Sequence, residues 1–131
     1  MTTESTIGYT KEWLSEGQIL CYRFLDVSHE TVDAWSVDLT GELARWPADT
    51  KLRLIYDVRR RGVSTYALNT ARRHSNLRPD VSGRTAILVN IGNRLVTQLI
   101  GVTIRGLSNR YRQRSVFSDE ESAVAWLLEQ G

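Results

Sequence analysis

Three consecutive arginines separate an apolar run from the start of a helix. Residues 52–58 read Leu-Arg-Leu-Ile-Tyr-Asp-Val, as expected for a buried strand. Ser64 and Thr65 follow the arginines after two intervening residues. In open α/β sheets, ligands bind beyond the carboxyl ends of the strands, and a helix N-terminus attracts anions. We therefore predict a site for a small anionic ligand or an acidic protein partner, built from Arg59, Arg60, Arg61, Gly62, Ser64, Thr65, Asn90, Gly92 and Asn93.

Ser64 and Thr65 are also candidate phosphoacceptors. A phosphate on either hydroxyl would meet the positive end of the helix dipole and the nearby arginines. The plainer alternative is that one of the two hydroxyls caps the helix and that the arginines are solvated.

Charge is unevenly distributed along the chain. The net charge is +2, yet residues 51–117 carry 14 basic and 2 acidic residues, and the segments on either side are acidic. Fifteen of the 17 basic residues are Arg, which suits bidentate contacts with phosphate or carboxylate. Nucleic-acid binding is therefore an alternative function, through Arg72, Arg73, Arg78, Arg105, Arg110, Arg112 and Arg114, with Tyr66 and Tyr111 among them.

Residues suited to catalysis or metal binding are few. Asp57 ends a strand, but no second acid or nucleophile–base pair accompanies it, so we expect it to pair with Arg59. Cys21 is the only cysteine and should lie in the core, while His29 and His74 should be surface or capping residues. We predict no catalytic residue, no metal and no cofactor.

The chain has 131 residues and is 41% apolar, which suits one domain over residues 1–131. Its first residues have no basic start followed by an apolar run, and no segment approaches the roughly 18 apolar residues needed to span a bilayer. These features predict a cytoplasmic protein without membrane insertion.

The first third of the chain predicts a hairpin and a helix. Residues 7–14 and 18–25 alternate around the three-residue turn 15–17. Ser28 can cap the following helix, and Pro47 should end it. Apolar residues at helical spacing form its buried stripe, namely Val32, Trp35, Leu39, Leu43 and Trp46.

The rest of the chain alternates strands and helices. Strands are predicted over 51–58, 84–91 and 111–117, with helices beginning near Ser64 or Thr65, over 95–107, and after a capping box at 118–121. The order β-β-α-β-α-β-α-β-α implies right-handed crossovers and an α/β fold with a mainly parallel sheet.

Two segments resemble a known family. Arg84-Thr-Ala-Ile-Leu-Val, and Ser115-Val-Phe-Ser-Asp-Glu-Glu-Ser-Ala-Val-Ala-Trp-Leu127, are similar to the SpoIIAA-like branch of the STAS superfamily. The resemblance implies a β-α superhelix and a non-catalytic bacterial regulatory module that binds a protein partner or a small ligand, as antagonists of anti-sigma factors do.

The resemblance also bears on the phosphoacceptor. In those relatives a serine in an Asp-Ser motif at the start of the second helix accepts a phosphate. Ser64 and Thr65 occupy that turn here, but Gly62-Val63 precedes them and the motif is missing. The same superhelical fold resembles lipid-binding CRAL-TRIO domains, so binding of a lipid or another hydrophobic ligand is a further alternative.

The four tryptophans are Trp13, Trp35, Trp46 and Trp126. Most should be core residues, because three of them follow helical spacing. One or two on an outer edge could anchor a homodimer or a partner surface.

Overall fold

The computed structural model describes residues 4–6, 8–60, 63–90 and 112–129. Within them, six strands form one sheet in sequence order. The strands are β1 (Glu4–Thr6), β2 (Tyr9–Leu14), β3 (Ile19–Phe24), β4 (Leu52–Asp57), β5 (Gly83–Leu88) and β6 (Arg112–Phe117). The described helices are α1 (His29–Arg45), α2 (Thr65–His74) and α3 (Glu120–Leu128).

The sheet is mainly parallel, as the alternation of strands and helices predicts. The β1–β2 and β2–β3 pairs are antiparallel, and the β3–β4, β4–β5 and β5–β6 pairs are parallel. The predicted α/β class is therefore confirmed. The helix predicted over 95–107 lies outside the described part of the chain.

The amino-terminal hairpin differs from its prediction in two ways. A short first strand, β1, precedes the predicted pair, and the β2–β3 turn spans four residues, 15–18, instead of three. Ser15, Glu16 and Gly17 all have positive φ, and the amide of Gln18 donates to the carbonyl of Ser15. β1 consists of three polar residues, which is too short a run for alternation to reveal a strand. Its pairing with β2, which the local sequence does not show, stabilises it.

Alternate residues of the central strands face two separate cores. Leu52 and Leu54 lie in the core beneath α1 and α2, whereas Ile55 lies in the core beneath α3. This double coverage explains why the sequence of β4 is a nearly continuous apolar run. The predicted stripe of α1 is buried along its whole length, from Val32 to Trp46.

Each of the described helices begins at a side-chain cap. Ser28 Oγ accepts a hydrogen bond from the amide of Thr31, and Ser64 Oγ accepts one from the amide of Ala67. The predicted capping box placed the last cap at position 118, but the residue that caps α3 is Asp119. Serine and aspartate both cap helices well, so residue type alone does not show which of the adjacent residues 118 and 119 is the cap.

Candidate functional site

The predicted site residues that the structure describes come together at one end of the sheet. Arg59 and Arg60 follow β4, and Asn90 follows β5. Asp57 pairs in register with Leu88, so the two strands end side by side. The remaining predicted members, Arg61, Gly62, Gly92 and Asn93, lie outside the described residues.

Ser64 and Thr65 reach the same end of the sheet. Ser64 Oγ lies 3.4 Å from the carbonyl oxygen of Val27, in the loop between β3 and α1. This contact brings the start of α2 beside the carboxyl end of β3, which is the edge that the strand order predicts for ligand binding.

Arg59 forms the predicted ion pair with Asp57. Its Nε and Nη2 atoms donate to the two carboxylate oxygens at 3.0 and 2.9 Å, and its backbone amide donates to Oδ1 at 3.1 Å. Burial alone would raise the pKa of Asp57, but the hydrogen bonds from Arg59 hold it below its usual range. Arg59 is therefore a less available ligand-binding group than the sequence suggests.

A second arginine, which the sequence analysis missed, joins this cluster. Arg23 of β3 donates to Glu12 at 2.7 Å, to Asp57 at 3.2 Å and to Glu120 at 2.6 Å. These contacts connect β2, β3, β4 and the first turn of α3. A charged residue in an apolar strand indicates that a partner exists. The sequence does not identify the partners of Arg23, because they lie 11, 34 and 97 positions away.

The N-terminus of α2 has the features of an anion-binding site. Its first turn carries no acidic residue, so no carboxylate of the helix itself offsets the positive end of its dipole. Thr65 is exposed at the first helical position, and Ser64 is half-buried and used as the cap. Arg60 is exposed in the preceding turn. We call Arg60, Ser64 and Thr65 the α2 entrance.

An aromatic pair stands next to this entrance. The rings of His29 and Tyr66 stack with centroids 3.9 Å apart, and the Tyr66 hydroxyl donates to Asp33. The pair links the first turns of α1 and α2. Sequence spacing carries no signal for it, because the two rings belong to different helices.

The prediction that His74 lies at the surface was wrong. Predicted as a surface or capping residue, it is 8% exposed, and its Nε2 lies 2.8 Å from Ser36 Oγ of α1. Its ring meets that of Trp35 edge-on at 4.9 Å. Burial, followed by the charge of Arg73, lowers the pKa of His74 to about 4. The last turn of α2 packs against α1, which is why a histidine among arginines is buried.

The basic stripe is also broken up by the fold. Arg72 and Arg73 are exposed on α2, but Arg78 donates to the carbonyls of Leu43 and Trp46. Arg112 is only 6% exposed, and its guanidinium donates to the main-chain carbonyls of Leu77, Arg78 and Val81. Arg105, Arg110 and Tyr111 lie beyond the described segments.

A surface groove of about 320 Å³ lies at the opposite, amino-terminal end of β3 and β4. Its walls include Trp13 and Trp46, which stack with centroids 6.0 Å apart, and Pro47. Trp46 Nε1 donates to the carbonyl of Thr50. The two tryptophans thus belong partly to the core and partly to this groove.

Other chemistry finds little support in the described part of the chain. No group of three His, Cys, Asp or Glu side chains there is arranged to hold a metal ion. Cys21 is buried in the core as predicted, and burial raises the pKa of its thiol to about 12. None of the described helices is long and apolar enough to span a bilayer.

Comparisons with known proteins identify the fold. No protein-family model and no curated protein matches this chain. A solved structure does match, that of an uncharacterized protein of the DUF3478 family with a SpoIIAA-like fold, from Shewanella loihica PV-4. The two chains superpose with a TM-score of 0.61 at 17% identity, over 96% of this chain and 90% of the other. This chain therefore has a SpoIIAA-like fold, as the resemblance predicted.

Proposed function

We propose that this protein is a non-catalytic regulatory module that binds an anionic group at the α2 entrance. The group is a phosphate or carboxylate, carried by a small ligand or by an acidic segment of a protein partner. The observation that carries this proposal is the first turn of α2, which lacks acidic residues and begins with an exposed hydroxyl five positions after exposed Arg60 in the sequence.

Arg60 is the main cation of this site. Arg59 is held by the carboxylate of Asp57 on two nitrogens, so a ligand would have to compete with that pair. A charge near a helix N-terminus contributes only about 0.3–1 kcal/mol, so recognition must combine the dipole with the guanidinium and with groups of the partner.

The local carboxylates argue for binding over catalysis. Asp57 and Glu120 both accept from Arg23, and Asp57 also accepts from Arg59. The hydrogen bonds that lower the pKa of Asp57 make it a weak base, whereas a general base needs a pKa near the working pH.

Accessibility separates the two candidate phosphoacceptors. Thr65 is exposed, whereas the Ser64 oxygen already accepts from the amide of Ala67 and is half-buried. Phosphorylation of Thr65 would add negative charge at the helix N-terminus while leaving the cap in place. Intact-mass and fragmentation spectra of protein from its native cells test this, and an unmodified Thr65 in every growth condition would argue against a phosphorylation switch.

Amide NMR titration with inorganic phosphate tests the binding site. We expect saturable shifts at Thr65 and Tyr66, weakened several-fold by Arg60→Gln. Arg72→Gln is the matched control, because Arg72 is an exposed arginine at the other end of the same helix. Equal loss in both variants would indicate unspecific charge attraction and would contradict the proposal.

A second experiment tests a protein partner. A photo-crosslinking amino acid replaces Thr65 in the native host, and the same amino acid replaces Val37, which is 75% exposed on α1, as the control. A crosslinked protein that depends on position 65 and is lost with Arg60→Gln supports a protein partner. Phosphate binding without any such crosslink favours a small ligand.

The alternatives receive less support. The nucleic-acid stripe loses Arg112, which is buried, and Arg78, which is bonded to main-chain carbonyls. A hydrophobic ligand would have to use the Trp13–Trp46 groove, whose volume of about 320 Å³ is at the lower end for ligand pockets. A cytoplasmic location and a homodimer stay predictions of the sequence.

A further inference from the structure

A small cavity with a partly polar wall lies between the sheet and helices α1 and α2. Its volume is about 20 Å³, which exceeds the roughly 10–15 Å³ that one water molecule needs. Aliphatic side chains form its apolar part, among them Leu39, Leu43 and Leu54. Its polar part comes from α2 and from three neighbouring strands, and consists of His74, Tyr56, Thr85, Arg112 and Arg114.

His74 brings a buried polar atom to this cavity. The side chain is 8% exposed, and its Nδ1 has no hydrogen-bond partner among the described residues. The other ring nitrogen, Nε2, lies 2.8 Å from Ser36 Oγ of α1. Buried polar atoms of native proteins nearly always have a partner, which in many cases is an ordered water. The Nδ1 atom therefore points to a bound molecule in the cavity.

A water molecule fits the ring in either of its neutral tautomers. Burial lowers the pKa of His74 to about 4, so the ring is neutral at neutral pH and has one donor and one acceptor nitrogen. If the Ser36 hydroxyl donates to Nε2, Nδ1 carries the proton and needs an acceptor. If Nε2 donates to Ser36, Nδ1 needs a donor. Water is both an acceptor and a donor.

The sheet offers further partners for such a water. Thr85 of β5 pairs in register with Leu54 of β4, whose side chain lies in the core beneath α1 and α2. Tyr56 is two positions after Leu54 and lies on the same face of the sheet. A hydroxyl has one donor hydrogen and two acceptor lone pairs. A buried water makes about two to four hydrogen bonds, and His74, Tyr56 and Thr85 offer three.

We propose that this cavity binds one ordered water molecule, held by His74 Nδ1 and by the hydroxyls of Tyr56 and Thr85. The water links the last turn of α2 to β4 and β5. The bond between Ser36 and His74 links the same turn to α1. His74 is therefore a positioning residue, which fixes the end of α2 to both the neighbouring helix and the sheet.

High-resolution crystallography of the wild-type protein tests the site directly. We expect one peak with the density of a water oxygen within about 3.2 Å of His74 Nδ1. Crystals grown in sodium bromide distinguish a water from an anion, because bromide gives an anomalous signal. A cavity without a density peak, or an anomalous peak inside it, would overturn the proposal.

Water-oxygen magnetic relaxation dispersion tests the same site in solution, because it counts long-lived internal water molecules. His74→Phe keeps an aromatic ring but removes Nδ1, and it should lose one such water relative to the wild-type protein. His29→Gln is the matched control, since it removes an exposed histidine, and it should lose none. An unchanged count in folded His74→Phe would contradict the proposal. If His74→Phe does not fold, the crystal structure of the wild-type protein decides.

Discussion

Acidification should destabilise the protein through His74 before it affects the carboxylates. The pKa of His74 is about 4 in the folded protein, against an ordinary value of 6.5. A lowered pKa means that the unfolded chain binds the proton more tightly. The stabilising contribution is therefore complete above pH 6.5 and is lost as the pH falls towards 4.

The magnitude follows from the two pKa values. Between pH 7 and pH 5 the free energy of unfolding should fall by about 2 kcal/mol on account of this one residue. No discount for solvent is needed, because the side chain is 8% exposed. The charge of Arg73, on the same helix, also favours the neutral form of the ring.

Urea unfolding followed by circular dichroism measures this slope. His74→Phe should remove the slope, and His29→Gln, which removes the exposed histidine, should keep it. A wild-type protein of equal stability at pH 7 and pH 5, or a slope that survives in His74→Phe, would refute the reasoning.

Three further substitutions test the packing and the site. Gly83→Ala should cost about 2 kcal/mol or more, because an added methyl group would collide with the carbonyl of Leu52 across the sheet; urea midpoints measure it. Ser64→Ala should cost about 1 kcal/mol by removing the α2 cap, while Thr65→Ala should leave stability nearly unchanged in the same assay. Asp57→Asn should cost about 1–3 kcal/mol by leaving two arginines without their shared anion, and it should strengthen phosphate binding by releasing one of them, as NMR titration would show.

Local sequence predicted most of the fold. The stripe of α1 depends on spacing within one helix, and the strands β4 and β5 appear as apolar runs because both of their faces are covered. The ion pair of Asp57 and Arg59 was predictable for the same reason, since the two residues are two positions apart.

Long-range partners account for what the sequence could not show. Arg23 forms a hydrogen bond with Glu120, which lies 97 positions away in sequence, and His74 forms one with Ser36, which lies 38 positions away. Nothing in the spacing of these residues indicates which of them meet. His74 was expected at the surface because its helix is basic, but the packing of two helices, not composition, decided its burial.

The difference between composition and long-range packing also changes how the basic middle of the chain should be interpreted. Arg59 neutralises Asp57, and Arg78 and Arg112 hold main-chain carbonyls of loops, so these three arginines stabilise the fold. Arg60 and Arg72 face solvent. A count of charges therefore overestimates the surface available to a polyanion such as a nucleic acid. A compact anionic group needs only one exposed guanidinium near a helix N-terminus, and this is the combination that we propose for the α2 entrance.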